Sequence, residues 1–193
     1  MNSDTLEIFT LSKIKKIKGT RRIAREKALQ ILMAYEISMT PWTGLFSHIF
    51  FRDFNFGDDE IAPVKLLNPE EIQELESDTN IHWEDEEIIF ARNLIEKTIE
   101  SREHIDKLII DFAQNWEFDR IATIDRILME IAMTELLFFP EIPPKVSINE
   151  AIDIAKKYST VKSGMFINGV LDSVHDKLKS ENSIVKTGRG LIE

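Results

Sequence analysis

The sequence predicts a mostly helical, all-α protein, and three observations carry that expectation. Only 7 Gly and 6 Pro occur among 193 residues, so breakers are sparse and long segments run without interruption. Within those segments apolar residues recur three and four positions apart, the spacing of one helical face. No internal repeat and no strand alternation stands out. The length suits one domain around one sizeable core. With 43% hydrophobic and 30% charged residues, the composition is that of a soluble globular chain.

The elements follow in order. Residues 1–19 form a basic extension, expected to be flexible, because the first twelve carry no period. From about Thr20 a helix begins, with the stripe Ala24, Ala28, Ile31, Leu32 and Tyr35. Pro41 ends it. "PWTGLFSHIFF" is expected to make a short helix on the core. Residues 39–83 are long for a connection and read as an acidic insert. Within it, "LNPEEIQELESD" predicts a helix capped by Asn68 with Pro69 at its first position. Glu84 to Glu87 then crowd a first turn, where the helix dipole favours anions. Ile88, Ala91, Ile95 and Ile99 make one stripe; Ile105, Leu108, Ile109, Phe112 and Trp116 make another. Two helices with a break near Ser101 are expected there. "FDRIATIDRILMEIAMTELLFF" is apolar over more than one face, as a central helix would be. "SINEAIDIAKKYS" opens with Ser147 and Glu150 at capping-box spacing. The last helix carries Phe166, Ile167, Val170, Leu171, Val174 and Leu178 on one stripe. Gly169 within it costs about 1 kcal/mol of helix propensity relative to Ala, which predicts close approach of another backbone. The tail from 181 to 193 is expected to be loose.

Charge is informative once divided. The formal net charge is −10, yet residues 13–27 hold eight basic side chains and one acid, Glu26. Residues 53–87 hold thirteen acids against Lys65. Such asymmetry speaks of partners: a basic cluster attracts phosphates while an acidic body repels them elsewhere. At roughly 100° per residue, Arg21, Arg22 and Arg25 fan over an arc beside the buried stripe.

Several classes of chemistry have no support. No apolar run approaches the roughly 20 residues needed to span a bilayer, and no secretory signal pattern opens the chain. A cytoplasmic protein is expected. Zero Cys excludes disulfides, zinc-thiolate sites and cysteine nucleophiles. His48, His82, His104 and His175 form no metal-ligand spacing. Glycine-rich phosphate loops and nucleophile elbows are absent. No enzyme, metal or cofactor is expected.

Specific residues carry a family resemblance. "RRIAREKALQILMAYEIS" resembles the opening helix of the bacterial transcription antitermination factor NusB family. "ILMEIAMTELL", "IPPKVSINEAIDIAKKYS" and "MFINGVLD" resemble its second half, in the same order. The resemblance implies an all-α bundle of about seven helices in two packed subdomains, spanning residues 20–180. It implies a non-enzymatic factor that binds the boxA element of ribosomal RNA leader transcripts together with NusE, a small-subunit ribosomal protein. Other Nus factors and RNA polymerase would be engaged indirectly, and premature termination suppressed.

Residue by residue, Arg21, Arg22 and Arg25 correspond to the family's N-terminal arginine motif. A guanidinium fork binds phosphate bidentately and stacks on bases. Lys13, Lys15, Lys16 and Lys18 would add backbone contacts on the electrostatic argument alone. Phe166 falls at the family's aromatic position near RNA, where a ring stacks on an unpaired base; it also lies on the apolar stripe, so core packing is equally open. Glu135, Asn149, Glu150 and Asn168 match characteristic positions and read as caps and internal hydrogen bonds. Lys162 stands where the family often has an acid, which would remove repulsion near phosphate. Met33 replaces a common tyrosine, and Glu130 replaces an arginine often found in the central helix.

Two other readings compete. NusB-like domains also precede some ribosomal RNA cytosine methyltransferases, but only about 15 residues follow the last helix here, too few for a cofactor-binding domain. A protein-interaction scaffold, using the acidic insert without direct RNA binding, is the main alternative. Homodimerisation is left open by the sequence.

Overall fold

The computed structural model describes residues 17–51, 81–113 and 116–192. Among these are six α-helices: α1 (Arg21–Ser38), α2 (Trp42–Phe50), α3 (Asp85–Phe112), α4 (Thr123–Phe138), α5 (Pro144–Tyr158) and α6 (Val161–Ser180). Short 3-10 turns lie at Phe118–Arg120 and Gly188–Leu191. The expected all-α bundle is therefore present. The helix predicted at Asn68–Pro69, Lys13, Lys15, Lys16 and most of the acidic insert lie outside the described residues.

α1 starts where its chemistry dictates. Thr20 is in extended conformation and its side chain accepts a hydrogen bond from the Ile23 N–H, satisfying one free donor of the first turn. Ile23, Ala24, Ala28, Leu29, Ile31 and Leu32 are buried along one face. The helix ends at Met39, whose φ of 54° turns the chain out of the helical path. α2 follows and buries Phe46 and Phe50, whose rings stack at 4.4 Å. Phe50 also meets Trp83 at 4.7 Å.

α4 is the central element. It packs on α1, α3, α5 and α6, and every residue from Ile127 to Leu136 is buried. α1 packs on α2 and α3, α5 packs on α6, and α3 also meets α6, with all six contributing to one continuous apolar core.

Five local expectations are corrected. No strand stood out in the sequence, but Ile17–Lys18 (β1) pairs in parallel with Ile81–His82 (β2); two residues are too few to generate an alternation. No break occurs near Ser101, and α3 runs unbroken for 28 residues. Its buried face continues through polar residues that find partners. Thr98 Oγ donates to the Leu94 carbonyl and meets Thr134 at 3.1 Å, and Arg102 is ion-paired to Glu36 and Glu130. Ser147 is not an N-cap: α5 begins at Pro144, a residue suited to a first helical position because its missing N–H is not needed there. Gly169 faces open space, with nothing within 4 Å of a Cβ placed on it, so no second backbone approaches. The segment after α6 is docked, with the Thr187 N–H donating to the Pro140 carbonyl at 2.9 Å.

Candidate nucleic-acid interface

The first turns of α1 bring Arg21, Arg22 and Arg25 together in a graded series. Arg25 is at the bottom, only 4% exposed. Its Nε donates to Glu135 Oε1 at 2.6 Å and its Nη2 to Oε2 at 2.9 Å. This is the two-point fork that distinguishes arginine from lysine. Ser147 Oγ donates to the same Oε2 at 2.8 Å, and Glu150 lies 3.8 Å from Arg25 Nη1. Burial opposes the charge on Arg25, but Glu135 and Glu150 outweigh it and hold its pKa above the ordinary value.

Arg22 occupies the middle, with Nη2 donating to Asp153 Oδ2 at 3.2 Å and Nη1 3.7 Å from Glu150 Oε1. Burial pushes the Glu150 carboxyl upward, against the pull of Arg25 and Arg22. Arg21 is at the top, its side chain 43% exposed and its nearest acid, Glu141, at 3.9 Å. The guanidiniums of Arg21 and Arg25 each lie 5.2 Å from the ring centre of Phe90, within cation–π range. Lys18, on β1, places Nζ 2.6 Å from Glu84 Oε1, both side chains well exposed. The hydrogen bond to Glu84 raises the lysine's pKa and lowers the glutamate's.

The local excess of positive charge in the sequence is thus balanced by Glu135, Glu141, Glu150 and Asp153 from α4, α5 and the turn between them. Sequence reading placed Glu135 and Glu150 as caps and internal hydrogen-bonding residues; Glu135 accepts such bonds, whereas Glu150 makes ion pairs with Arg22 and Arg25 and its buried Oε2 has no hydrogen-bond partner among the described residues. It missed Asp153 and Glu141, for which acidic residue type alone was no signal. Asn168, read likewise, bonds Asp172 at 2.8 Å on the surface, and Asn149 is exposed.

Lys162 and Phe166 are on α6, and among the described residues neither makes an ion pair, hydrogen bond or ring contact with the arginines. Lys162 is exposed. Phe166 is half-buried, packed on the core with one side and against Trp116 with the other, ring centres 5.2 Å apart. Trp116 was expected on a buried stripe, yet it is 56% exposed. Phe112, Trp116, Met165, Phe166, Gly169 and Val170 line an open groove of about 300 Å³. No group of three or more His, Cys, Asp or Glu side chains among the described residues could hold a metal ion, and no described helix is long and apolar enough to cross a membrane.

The fold and the anchored arginine series define an all-α bundle whose first helix opens on three arginines, each paired with an acid from later in the chain. Comparison with known proteins sharpens this. The NusB family model matches residues 51–176. The transcription antitermination protein NusB of Chloroherpeton thalassium is 37% identical over 174 residues, which span 90% of this chain and 70% of that protein. The solved structure of T. maritima NusB is 29% identical and superimposes with a TM-score of 0.60, over 85% of this chain and 99% of that one. A crystal structure of the antitermination factors NusB and NusE in complex with dsRNA matches at a TM-score of 0.59 over 81% of this chain and 96% of that one; at 20% identity it bears on the fold alone. The chain belongs to the NusB family.

Proposed function

We propose that this protein is a non-enzymatic, cytoplasmic transcription antitermination factor that binds boxA-type single-stranded RNA together with NusE. The observation that carries the reading is the anchored arginine series. Arg25 is locked to Glu135 beneath the surface, which orients the end of α1. Arg21 and Arg22 are left at and near the surface, Arg21 with an ion pair of 3.9 Å and Arg22 with a 3.2 Å hydrogen bond to Asp153 and a 3.7 Å ion pair to Glu150, partners that a phosphate can replace. Lys18 flanks them across an exposed pair of the kind that contributes little to stability and yields readily to a competing anion. Arg25 therefore serves as a positioning residue, and Lys18, Arg21 and Arg22 as phosphate contacts. Lys162 and Phe166 form a second contact region on α6, where the half-buried Phe166 ring and the exposed Trp116 beside it offer aromatic surface for an unpaired base. Family membership, and the NusE- and RNA-bound relative of the same fold, support this assignment.

The test is a titration of boxA RNA by fluorescence anisotropy, with and without NusE, across a series of salt concentrations. Arg21→Ala and Arg22→Ala are each expected to weaken binding and to reduce the log–log salt slope by about 0.7. Affinity and slope unchanged in both variants would overturn the assignment of these arginines.

A further inference from the structure

We propose that Arg189, carried by the C-terminal segment that folds back onto the α4–α5 turn, is an additional phosphate contact, and that docking of this segment completes the RNA face. The inference rests on the RNA-binding reading above and extends it to a part of the chain that lies beyond the family match.

The segment is held at three points. Lys186 Nζ donates to the carbonyls of Glu135 and Phe139 at 3.1 and 3.0 Å. The Glu135 carbonyl also accepts the Phe139 N–H and the Phe139 carbonyl the Ile142 N–H, so Lys186 adds a charged donor at the C-terminal end of α4, where the helix dipole favours a cation. Thr187 N–H donates to the Pro140 carbonyl at 2.9 Å. Gly190 is buried against the same turn: a Cβ there would fall 1.9 Å from the Pro140 oxygen and 3.3 Å from the Glu141 carbonyl carbon. Only glycine allows that approach. Gly188, at φ +53°, supplies the left-handed residue that starts the 3-10 turn.

These contacts place Arg189 between Thr187 and Gly190, which are pinned against the turn whose Glu141 reaches Arg21. Arg21, through Glu141, and the segment that carries Arg189, through Thr187 and Gly190, thus both contact one short turn. Arg189 is exposed, and no carboxylate of the described residues lies within ion-pair distance of it. Its partner chemistry is unfilled, whereas Arg21, Arg22 and Arg25 each have an acid in the fold. Lys186 is half-buried, and burial lowers its pKa despite the pull of Glu135 and Glu141; it acts as the pin and Arg189 as the contact. A negatively charged backbone crossing the end of α1 would meet both Arg21 and Arg189. An acidic protein surface would present the same charge without a regular spacing, and competition distinguishes it.

The experiment uses the full chain with NusE and a boxA-type RNA oligonucleotide, read by anisotropy over a salt series, alongside thermal unfolding. Arg189→Gln is expected to weaken binding two- to five-fold at low salt and to reduce the salt slope by about 0.7, with the unfolding midpoint unchanged. Gly190→Ala, which must displace the segment, is expected to weaken binding at least as much. If Arg189→Gln binds like the parent while Arg21→Ala is weakened, the inference fails and the RNA-binding reading stands. If Arg21→Ala, Arg22→Ala and Arg189→Gln all bind like the parent, the reading itself fails. If Arg189→Gln is weakened but Gly190→Ala is not, docking of the segment is unnecessary and that half of the inference is overturned. Loss of binding to NusE alone, with RNA affinity intact, would assign Arg189 to a protein surface and overturn it as well.

Discussion

Glu130 and Glu135 are both fully buried on α4, one and a half turns apart, and the protein holds them in opposite ways. Glu135 has all it needs: a two-point hydrogen bond from Arg25 and a third from Ser147. Glu130 faces Arg102 Nη2 at 3.2 Å and Arg126 Nη1 at 3.4 Å, but neither of its oxygens is in hydrogen-bonding geometry. The better hydrogen bonds of those arginines go to Glu36 on α1, at 2.8 and 2.6 Å. Asp106 on α3 adds a third carboxylate to two guanidiniums. Burial accordingly pushes the Glu130 carboxyl up to about 7, with Arg102 and Arg126 opposing and Asp106 and Glu36 reinforcing the rise. A buried charge is tolerated when its hydrogen bonds are complete, and is neutralised by a proton when they are not.

The comparison can be broken at its strong end first. Glu135→Ala leaves Arg25 charged in the core with only the 3.8 Å ion pair to Glu150, a change expected to cost about 3–5 kcal/mol. Replacing both, Arg25→Met with Glu135→Met, is expected to recover most of that loss, because the desolvation penalty disappears along with the attraction. Urea unfolding of the three variants checks this; a double variant as unstable as Glu135→Ala would contradict it.

The weak end is sharpened by pH. The folded value for Glu130, about 7, lies above its ordinary 4.5, so the folded state keeps a proton that the unfolded chain releases. That contribution is full below about pH 4.5 and is lost as pH rises through 7. Its size is on the order of 3 kcal/mol. Glu130→Gln, which mimics the protonated side chain, is expected to remove this loss. Between pH 5 and 8 the parent should lose stability relative to the variant, and parallel profiles would show that Glu130 is ionised throughout.

The smallest effect concerns only the arginine end. Thr20→Ala removes the cap of α1 and is expected to cost about 1 kcal/mol, without altering the pH profile that belongs to Glu130. Amide exchange in the first turn of α1 should quicken in step, and unchanged exchange would mean that β1 rather than Thr20 fixes the helix start.

Much of the bundle was legible because helices write their period locally. The stripe from Ala24 to Leu32, the all-round apolar α4 and the face from Ile167 to Leu178 were each visible in a window of a few turns. Reading failed where a polar residue sat on a buried face. Thr98 and Arg102 made α3 look broken, since their partners Thr134, Glu36 and Glu130 lie on other helices. Ser147 looked like a cap because the glutamate that uses its hydroxyl, Glu135, belongs to a different helix. Trp116 looked buried because periodicity reports a face and not what covers it.

The candidate site divides in the same way. The sequence by itself determined that α1 would present Arg21, Arg22 and Arg25 beside a buried stripe, because helix geometry sets that arc regardless of the rest of the fold. Which of the three reaches solvent was decided only in the tertiary structure. Arg25 meets Glu135 across 110 residues of chain, and Arg22 meets Asp153 across 131. Contacts so distant depend on how α4 and α5 pack against α1, and a desolvated ion pair forms only when that packing brings both charges into register.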